Sequence, residues 1–575
     1  MTNKITRRGI LGALTAGTAA ACGTKTSQSF TSDGSIVAGK FSHGVASGDP
    51  QTNAVIIWTR VSPEGAHDSQ MSVVWEISES VGFETLTAFG TVQTDKTRDW
   101  TVKVDVMGLS AGQDYYYRFI IGEEISPIGQ TKTLPKGDID EARFAVVSCA
   151  NWQHGFFNTY DHIARQDHFD ALIHLGDYFY EYGIEAADEQ AAKLGRLHEP
   201  LHEVLSLQDY RQRHAQYRTD SSLQAVSAKL PLIAIWDDHE TSNDSWHGGA
   251  ENHNDGEGDW ETRRQAALRA YYEWMPIREP RAGRMHSDIF RSYDYGNLLT
   301  LLSVETRLTA RAEPLVIEDY ADDIRAYGNA DKFKTELLYN PSREMFGPVQ
   351  SQFILDRLKE SKAKGTPWRV IANQVIMGRL ITTDLELYVS EEAVANIEPH
   401  WPEVRDFVGL SKYQLPVYPD SWDGYPVARE TFYQQLIEAN VQDILVLTGD
   451  AHEFWVNDLT TEAGDKVGVE LVTSSVSSKT LTSYLGGSTE DYTLLLTKTN
   501  EDARYYNAMN NGYIDLRITP NKANVTMVGI NTVLSRDYEA SIVASFTLRK
   551  SGETLKVRSP KGLNFKQRLL FSGLA

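Results

Sequence analysis

The chain has 575 residues, with 56 Lys+Arg against 78 Asp+Glu and a formal net charge of −22. That balance lacks the basic footprint that nonspecific nucleic-acid binding needs, and a content of 41% hydrophobic and 23% charged residues is that of a folded protein, not of a disordered or fibrous one. At roughly 150 residues per domain, the length predicts two to four folded units.

In chain order, Thr6-Arg7-Arg8-Gly9-Ile10-Leu11 reads as a twin-arginine pattern, followed by a mild apolar stretch over residues 9–21. The stretch is too short and too rich in Gly and Ala for a stable membrane span. Residues 1–31 are therefore expected to be a signal peptide read by the twin-arginine translocation machinery, with a periplasmic, membrane-anchored or secreted product. Cleavage is expected near Ala21, and Cys22 is a candidate lipid-anchor site although the usual Leu three residues earlier is absent. Once the signal is removed, Cys149 is the only cysteine left, so no disulfide can form within the chain. Taken alone, Cys149 reads as a small core residue.

Residues 32–136 read as β. VIIWTRV, MSVVWEI, WTVKVDVMGL and DYYYRFIIG are short β-branched and aromatic runs between Gly, Pro, Asp and Ser clusters. Their spacing predicts a fibronectin- or immunoglobulin-like β-sandwich. From residue 137 to 550, apolar strand-like runs alternate with helical stretches, which predicts an α/β or α+β domain with buried central strands. The expected helices are GFFNTYDHIARQDHF, LQDYRQRHAQYR, DWETRRQAALRAYYEWM, VQSQFILDRLKESKAKG and ARETFYQQLIEANV. Residues 183–206 and 379–425 look irregular, and strand-like runs return after Asn511. Residues 551–575 are read as a C-terminal tail.

Four apolar runs end in residues that bind hard metal ions. FAVVSC ends at Cys149. ALIHLGDYFY carries Asp177 and Tyr180, LPLIAIWDDHE carries Asp237, Asp238 and His239, and DILVLTGDAHE carries Asp450 and His452. Ligands in open α/β sheets gather beyond the carboxyl ends of strands, so the packets predict one metal-centred site. A Tyr ligand requires a strong Lewis acid, because a free phenol titrates near roughly 10. Fe(III) meets that need, and a thiolate suits the same ion. His239 could ligate a metal or give a proton to a leaving oxygen. Bound cations would also reconcile an acidic chain with an anionic substrate.

Together with FSHGVASGDPQTNAVIIWTRV, the segments SCANWQHGFFNTYDHIARQD, HLGDYFYEYG, WDDHETSND, DSWDGYPVARE, LTGDAHEFWVNDL and YNAMNNGYIDLRITP resemble the alkaline phosphatase D (PhoD-like) family of calcineurin-like metallophosphoesterases. The resemblance runs over residues 41–548. It implies a four-layer αββα catalytic sandwich behind the β module, and a centre with one Fe(III) and one or two Ca2+. Residue by residue, it implies Cys149 and Tyr180 on iron, Asp177 bridging to a second cation, and Asp238 on calcium. It also implies His452 as a ligand with Asp450 beside it, His239 as general acid, Asn243 as a further ligand or phosphate contact, and Arg429 as a phosphate contact. The wider superfamily has Asp in place of Cys149 and Asn in place of Asp238. A short C-terminal helix in 562–575 is expected as a lid.

The function expected on this reading is hydrolysis of phosphate mono- or diesters by a metal-activated water, on small-molecule esters or phospholipids. A phospholipase D-like phosphodiesterase is the alternative within the same class. A secreted non-catalytic binding protein is the alternative of another class, since fold alone does not imply function.

Overall fold

The computed structural model describes residues 39–65, 70–280, 283–398, 404–480 and 499–558, with fragments at 5–6 and 496–497. The N-terminal module contains β1 (Val45–Gly48), β2 (Ala54–Arg60), β3 (Met71–Ser78), β4 (Ala88–Thr94), β5 (Thr101–Met107), β6 (Asp114–Ile121) and β7 (Gly129–Lys132). Along β6 the alternation is strict: Tyr115, Tyr117, Phe119 and Ile121 are buried and the residues between them are not. Those side chains pack against Val55, Ile57, Val102 and Val106 of the facing layer, which is the predicted sandwich.

The second region follows as β8 (Ala142–Val147), α1 (Asn158–Ala164), β9 (Ala171–His174), α2 (Leu207–Tyr217), α3 (Ser221–Lys229), β10 (Pro231–Ala234) and α4 (Trp260–Trp274). Next come β11 (Arg291–Tyr295), β12 (Leu299–Ser303), α5 (Gly347–Ala363), β13 (Trp368–Ala372), α6 (Pro426–Glu438), β14 (Ile444–Thr448), β15 (Phe454–Thr460), β16 (Lys466–Val472) and β17 (Ala503–Asn507). The chain closes with β18 (Asn511–Thr519), β19 (Lys522–Ile530), β20 (Ala540–Ser551) and β21 (Thr554–Arg558). Local signals explain the helix starts. Ser206 and Asp209 form a capping box on α2, Asp220 caps α3 and Asp259 caps α4. Proline opens α6, where a missing N–H costs nothing.

One sheet runs β21-β20-β19-β18-β8-β9-β10-β1-β2-β5 and the other β11-β12-β13-β14-β16-β15-β17. Their inner faces share one core, with Phe144, Val146, Ile173 and Leu516 on one side and Leu301, Val370, Leu447 and Val469 on the other. Helices α1, α3 and α4 cover the outer face of the first sheet through Ile163, Val226 and Tyr271. The outer face of the second is covered by α5 and α6 through Leu358 and Leu436. The layers are therefore α, β, β and α. Strands β8, β9, β10 and β14 are buried on both faces, which is why they read as continuous apolar runs rather than alternating ones.

Two features differ from the sequence reading. Strands β1, β2 and β5 belong to the sandwich and also extend the first of the two large sheets, because β1 pairs in parallel with β10 through Ser47 with Pro231 and Gly48 with Leu232. A Cβ on Gly48 would meet Leu232 O at 2.6 Å and Pro276 O at 2.7 Å, so this seam requires glycine. At the other end, Thr554–Arg558 is an edge strand, paired to β20 through Leu548 with Val557, rather than a tail. The lid expected in 562–575 and the signal segment, including Cys22, lie outside the described residues.

Candidate metal centre

The four packets meet at the carboxyl ends of β8, β9, β10 and β14, and glycine allows the approach. Gly176 has φ +107, and a Cβ there would lie 2.4 Å from Asp237 Cβ. A Cβ on Gly449 would lie 2.7 Å from Ser148 Cβ, in the opposite sheet. The Gly-Asp pairs thus let neighbouring strand ends touch. Backbone bonds then lock the turns: Cys149 N donates to Gly176 O at 3.1 Å, and Ala150 N donates to Asp177 O at 2.9 Å. Glu240 accepts from the backbone of Asp177, Tyr178 and Asp237, tying two packets together. Cys149, Asp177, Asp450 and His452 all have left-handed backbone, with φ of 61, 53, 62 and 58. Such conformations cost energy for residues other than Gly and gather at functional sites.

Donor atoms of Cys149, Asp177 and His452 lie within 4.8 Å of one another, as do those of Asp177, Asp238 and His239 and those of Asp237, Asp238 and Asp450. Asp177 links the first group to the second, and Asp238 links the second to the third. Tyr180 joins the first group: its hydroxyl lies 3.0 Å from Asp177 Oδ2, 3.0 Å from His452 Nε2 and 2.8 Å from Ser478 Oγ. His452 Nδ1 donates to Lys479 O at 2.9 Å, which leaves Nε2 bare as a ligand atom. His239 Nδ1 lies 2.7 Å from Glu181 Oε2.

Arg307 stands behind the third group, fully buried. It donates to Asp237 Oδ1, to Asp420 Oδ2 at 2.6 Å and to Asp450 Oδ1 at 3.4 Å, and lies 3.6 Å from Asp238 Oδ1. Glu305 holds the turn by accepting from Arg307 N at 2.8 Å and Trp236 Nε1 at 3.0 Å. Arg311 pairs with Asp420, and Asp244 N donates to Asp238 Oδ2 at 2.7 Å.

The electrostatics describe a site built for added positive charge. Burial, then repulsion among the carboxylates, pushes Asp177 and Asp450 well up, and burial and Asp420 push Asp244 up. Burial takes Asp237 up to about 6 against the pull of Arg307. For Asp238, burial is outweighed by Arg307 and His239, which hold it below the usual range. Burial and Asp177 push the Cys149 thiol and the Tyr180 phenol well up. Asp177 Oδ1, Asp237 Oδ2 and Asp238 Oδ1 are buried with no hydrogen-bond partner among the described residues. Buried polar oxygens left in that state are costly unless something else satisfies them. A cation would satisfy them and reverse these shifts, since a coordinated thiol or phenol loses its proton. The donor set therefore fits a metal centre.

Comparison with known proteins agrees with this geometry. Residues 144–527 match the PhoD-like phosphatase family and residues 26–135 its N-terminal domain. The chain belongs to the PhoD-like phosphatase family. It is 32% identical over 536 residues to alkaline phosphatase D of Bacillus subtilis (strain 168), covering 90% of this chain and 82% of that protein. A solved structure described as "Structure of PhoD" superimposes with a TM-score of 0.73 at 29% identity, covering 93% of this chain and 96% of the other. The chain is thus a phosphoesterase, a hydrolase of phosphate esters, and the non-catalytic alternative is set aside.

Within this PhoD-like centre the structure brings together Cys149, Asp177, Tyr180, Asp238, His239, Asp450 and His452. Asn243 stands at the rim, with its backbone on Glu181 at 2.7 Å and its side chain on Glu251 at 3.1 Å. Arg429 is not brought to the cluster. It lies buried on α6, ion-paired with Asp423, whose other oxygen accepts from Leu380 N at 2.7 Å. The phosphate contact expected of Arg429 finds no support in that placement: its guanidinium braces the 380 loop. Arg307, Asp420, Glu181 and Ser478 were not singled out from sequence. Arg307 and Asp420 lie outside the four strand-end packets, on turns that only folding brings behind them. Glu181 directly follows Tyr180 and Asp420 opens the segment DSWDGYPVARE, and those were the signals available.

Proposed function

We propose that the chain is an exported metal-dependent phosphoesterase in which Cys149, Asp177, Tyr180 and His452 hold iron(III), and Asp177 and Asp238, with Asp237 and Asp450 beside them, hold calcium. The observation that carries this reading is the set of unpartnered buried oxygens on Asp177, Asp237 and Asp238, converging beside a thiol, a phenol and an imidazole. When bound, the cations would supply an activated water and neutralise the phosphoryl oxygens. Asp177 is placed to join the two ion positions. Arg307 keeps Asp237, Asp450 and Asp420 in register, so the carboxylates present oxygens to the centre instead of splaying apart. With Nδ1 held by Glu181, His239 keeps its other nitrogen available as a proton donor to the departing oxygen. The left-handed turns at Cys149, Asp177 and Asp450 hold these donors before substrate arrives.

The twin-arginine pattern over residues 6–11 supports export in a folded state to the periplasm or beyond, and Cys22 supports a lipid anchor. Elemental analysis of protein exported through the twin-arginine route tests the ion assignment, with iron and calcium as the expected result and zinc or magnesium alone as the opposing one. Parallel assays on an aryl phosphate monoester and diester decide between the phosphatase and the phosphodiesterase forms of the activity. A mass of the exported protein with and without a lipidated Cys22 decides the anchor.

A further inference from the structure

The loop that leaves β8 with Cys149 also carries a histidine that the metal centre does not absorb. His154 is half-buried, and its Nδ1 accepts from the backbone N–H of Lys479 at 3.2 Å. A backbone amide can only donate, so this contact leaves the ring hydrogen on Nε2. The carbonyl of the same Lys479 accepts from His452 Nδ1 at 2.9 Å. One residue therefore sets two imidazoles in opposite senses. His452 presents a bare Nε2 toward Tyr180, and His154 presents an Nε2–H.

Hydrogen bonds hold this arrangement from several sides. Ser474 Oγ donates to His452 O at 2.9 Å, Ser477 Oγ to Asn151 O at 2.7 Å, and Ser478 Oγ to Cys149 O at 3.0 Å. These bonds fasten the Lys479 backbone to both the His452 turn and the Cys149 loop. The loop itself is held by Gln153 Nε2 on Gly183 O at 2.9 Å and by Trp152 N on Tyr217 Oη at 2.9 Å. Burial, with the Lys479 ammonium nearby, takes His154 down to about 3. The donor sense of Nε2 follows from the amide on Nδ1. Among the described residues Nε2 has no hydrogen-bond partner.

We propose that His154 contacts the substrate, donating its Nε2–H to a nonbridging oxygen of the bound phosphoryl group. This rests on the reading of the neighbouring cluster as the place where the phosphate ester binds. A neutral, tautomer-locked donor suits that task, because a hydrogen bond to an anionic oxygen is stronger than one between neutral groups.

The test uses the full-length, metal-loaded protein with inorganic phosphate as probe. In His154→Phe, a ring of similar shape without a donor, metal content by elemental analysis is expected to match wild type. Phosphate affinity, read by competitive inhibition and by calorimetry, is expected to fall by about 10- to 100-fold. In His154→Gln, which restores an N–H, most of the affinity is expected to return. Should His154→Phe fold poorly, His154→Leu provides the same comparison. Unchanged phosphate affinity in the donor-less variant overturns the proposal. So does a fall in kcat/KM with phosphate affinity intact, which would place the ring at the leaving group, and so does loss of metal in step with loss of affinity. Wild-type protein that binds no metal and cleaves no ester would instead fail the underlying reading, before any variant is made.

Discussion

The Tyr180 hydroxyl stands 3.0 Å from His452 Nε2, although 272 residues separate them in the chain. The contact joins the end of β9 to the end of β14, and so joins the two sheets at the point where their ligand packets meet. Between two such donors a strongly charged ion is the natural third party, because burial and Asp177 otherwise keep the phenol protonated. With iron(III) in the site, the purified protein is expected to show a visible tyrosinate-to-metal absorption band. Tyr180→Phe is expected to lose that band while retaining its fold by circular dichroism. An identical visible spectrum for both proteins would rule out the tyrosinate ligand.

Glu181 reaches His239 Nδ1 at 2.7 Å and also accepts from Asn243 N at 2.7 Å and Asn252 Nδ2 at 2.9 Å. Burial alone would raise this carboxyl, but the His239 charge and the hydrogen bonds outweigh it and hold it below its usual range. Glu181→Gln weakens the hold on the ring and is expected to cost about 10- to 100-fold in kcat, the range for groups that orient a site residue. The loss should be larger for alkyl than for aryl phosphates, because only a poor leaving group needs the proton. Equal losses on both substrates would place His239 outside the proton-transfer step.

Arg307 is the one guanidinium that touches Asp237, Asp238, Asp420 and Asp450 together. Removing it leaves buried carboxylates without a partner. Arg307→Met is expected to destabilise the protein by about 3–5 kcal/mol, the range for breaking a buried ion pair. Chemical denaturation checks this, and added metal should recover part of the loss by mass action. A midpoint equal to wild type in metal-free buffer would count against the arginine as the organising charge.

Gly176 combines a φ of +107 with a Cβ position 2.4 Å from Asp237 Cβ. Gly176→Ala must therefore push β9 and β10 apart at the site, in addition to a backbone strain of about 1–3 kcal/mol. The expected outcome is loss of metal by elemental analysis with the far-ultraviolet circular dichroism retained. Full metal occupancy in the variant would show that the close approach is not needed.

Lys103 on β5 reaches across to Tyr272 O on α4. Burial takes its ammonium down to about 8 from its ordinary 10.5, with Glu279 opposing. The folded protein releases this proton near pH 8 and the unfolded chain near 10.5, so the unfolded state holds more protons in between. Unfolding free energy is therefore expected to rise with pH from 8 to 10.5, by up to about 3 kcal/mol. Lys103→Met should lack that rise. Denaturation midpoints of the two proteins at pH 7.5, 8.5 and 9.5, values chosen at roughly one-unit steps across the window, check the sign.

Much of the site could be read before folding. Cys149, Asp177, Tyr180, Asp238, His239, Asp450 and His452 each follow an apolar run, and strand ends are where sheet proteins collect ligands. The helices were equally legible where an apolar face and a capping residue coincide, as in α2 behind Ser206 and α4 behind Asp259. β1, β4 and β7 are not among the runs read from sequence, and VASG and GQTK carry little β-branched or aromatic weight. Arg429 illustrates the opposite error. It sits in a segment resembling the family, yet its charge is taken by Asp423, six residues earlier.

The sequence by itself determined the strand-end packets and the glycine before Asp177 and before Asp450, because these depend on local residue type and spacing. Tertiary structure alone decided that Arg307 neutralises the third group, that Lys479 sets the tautomers of His154 and His452, and that β1 extends the catalytic sheet. Each of those depends on groups brought together from distant parts of the chain by the packing of two sheets, and no local pattern in a sequence records which buried charge will end beside which.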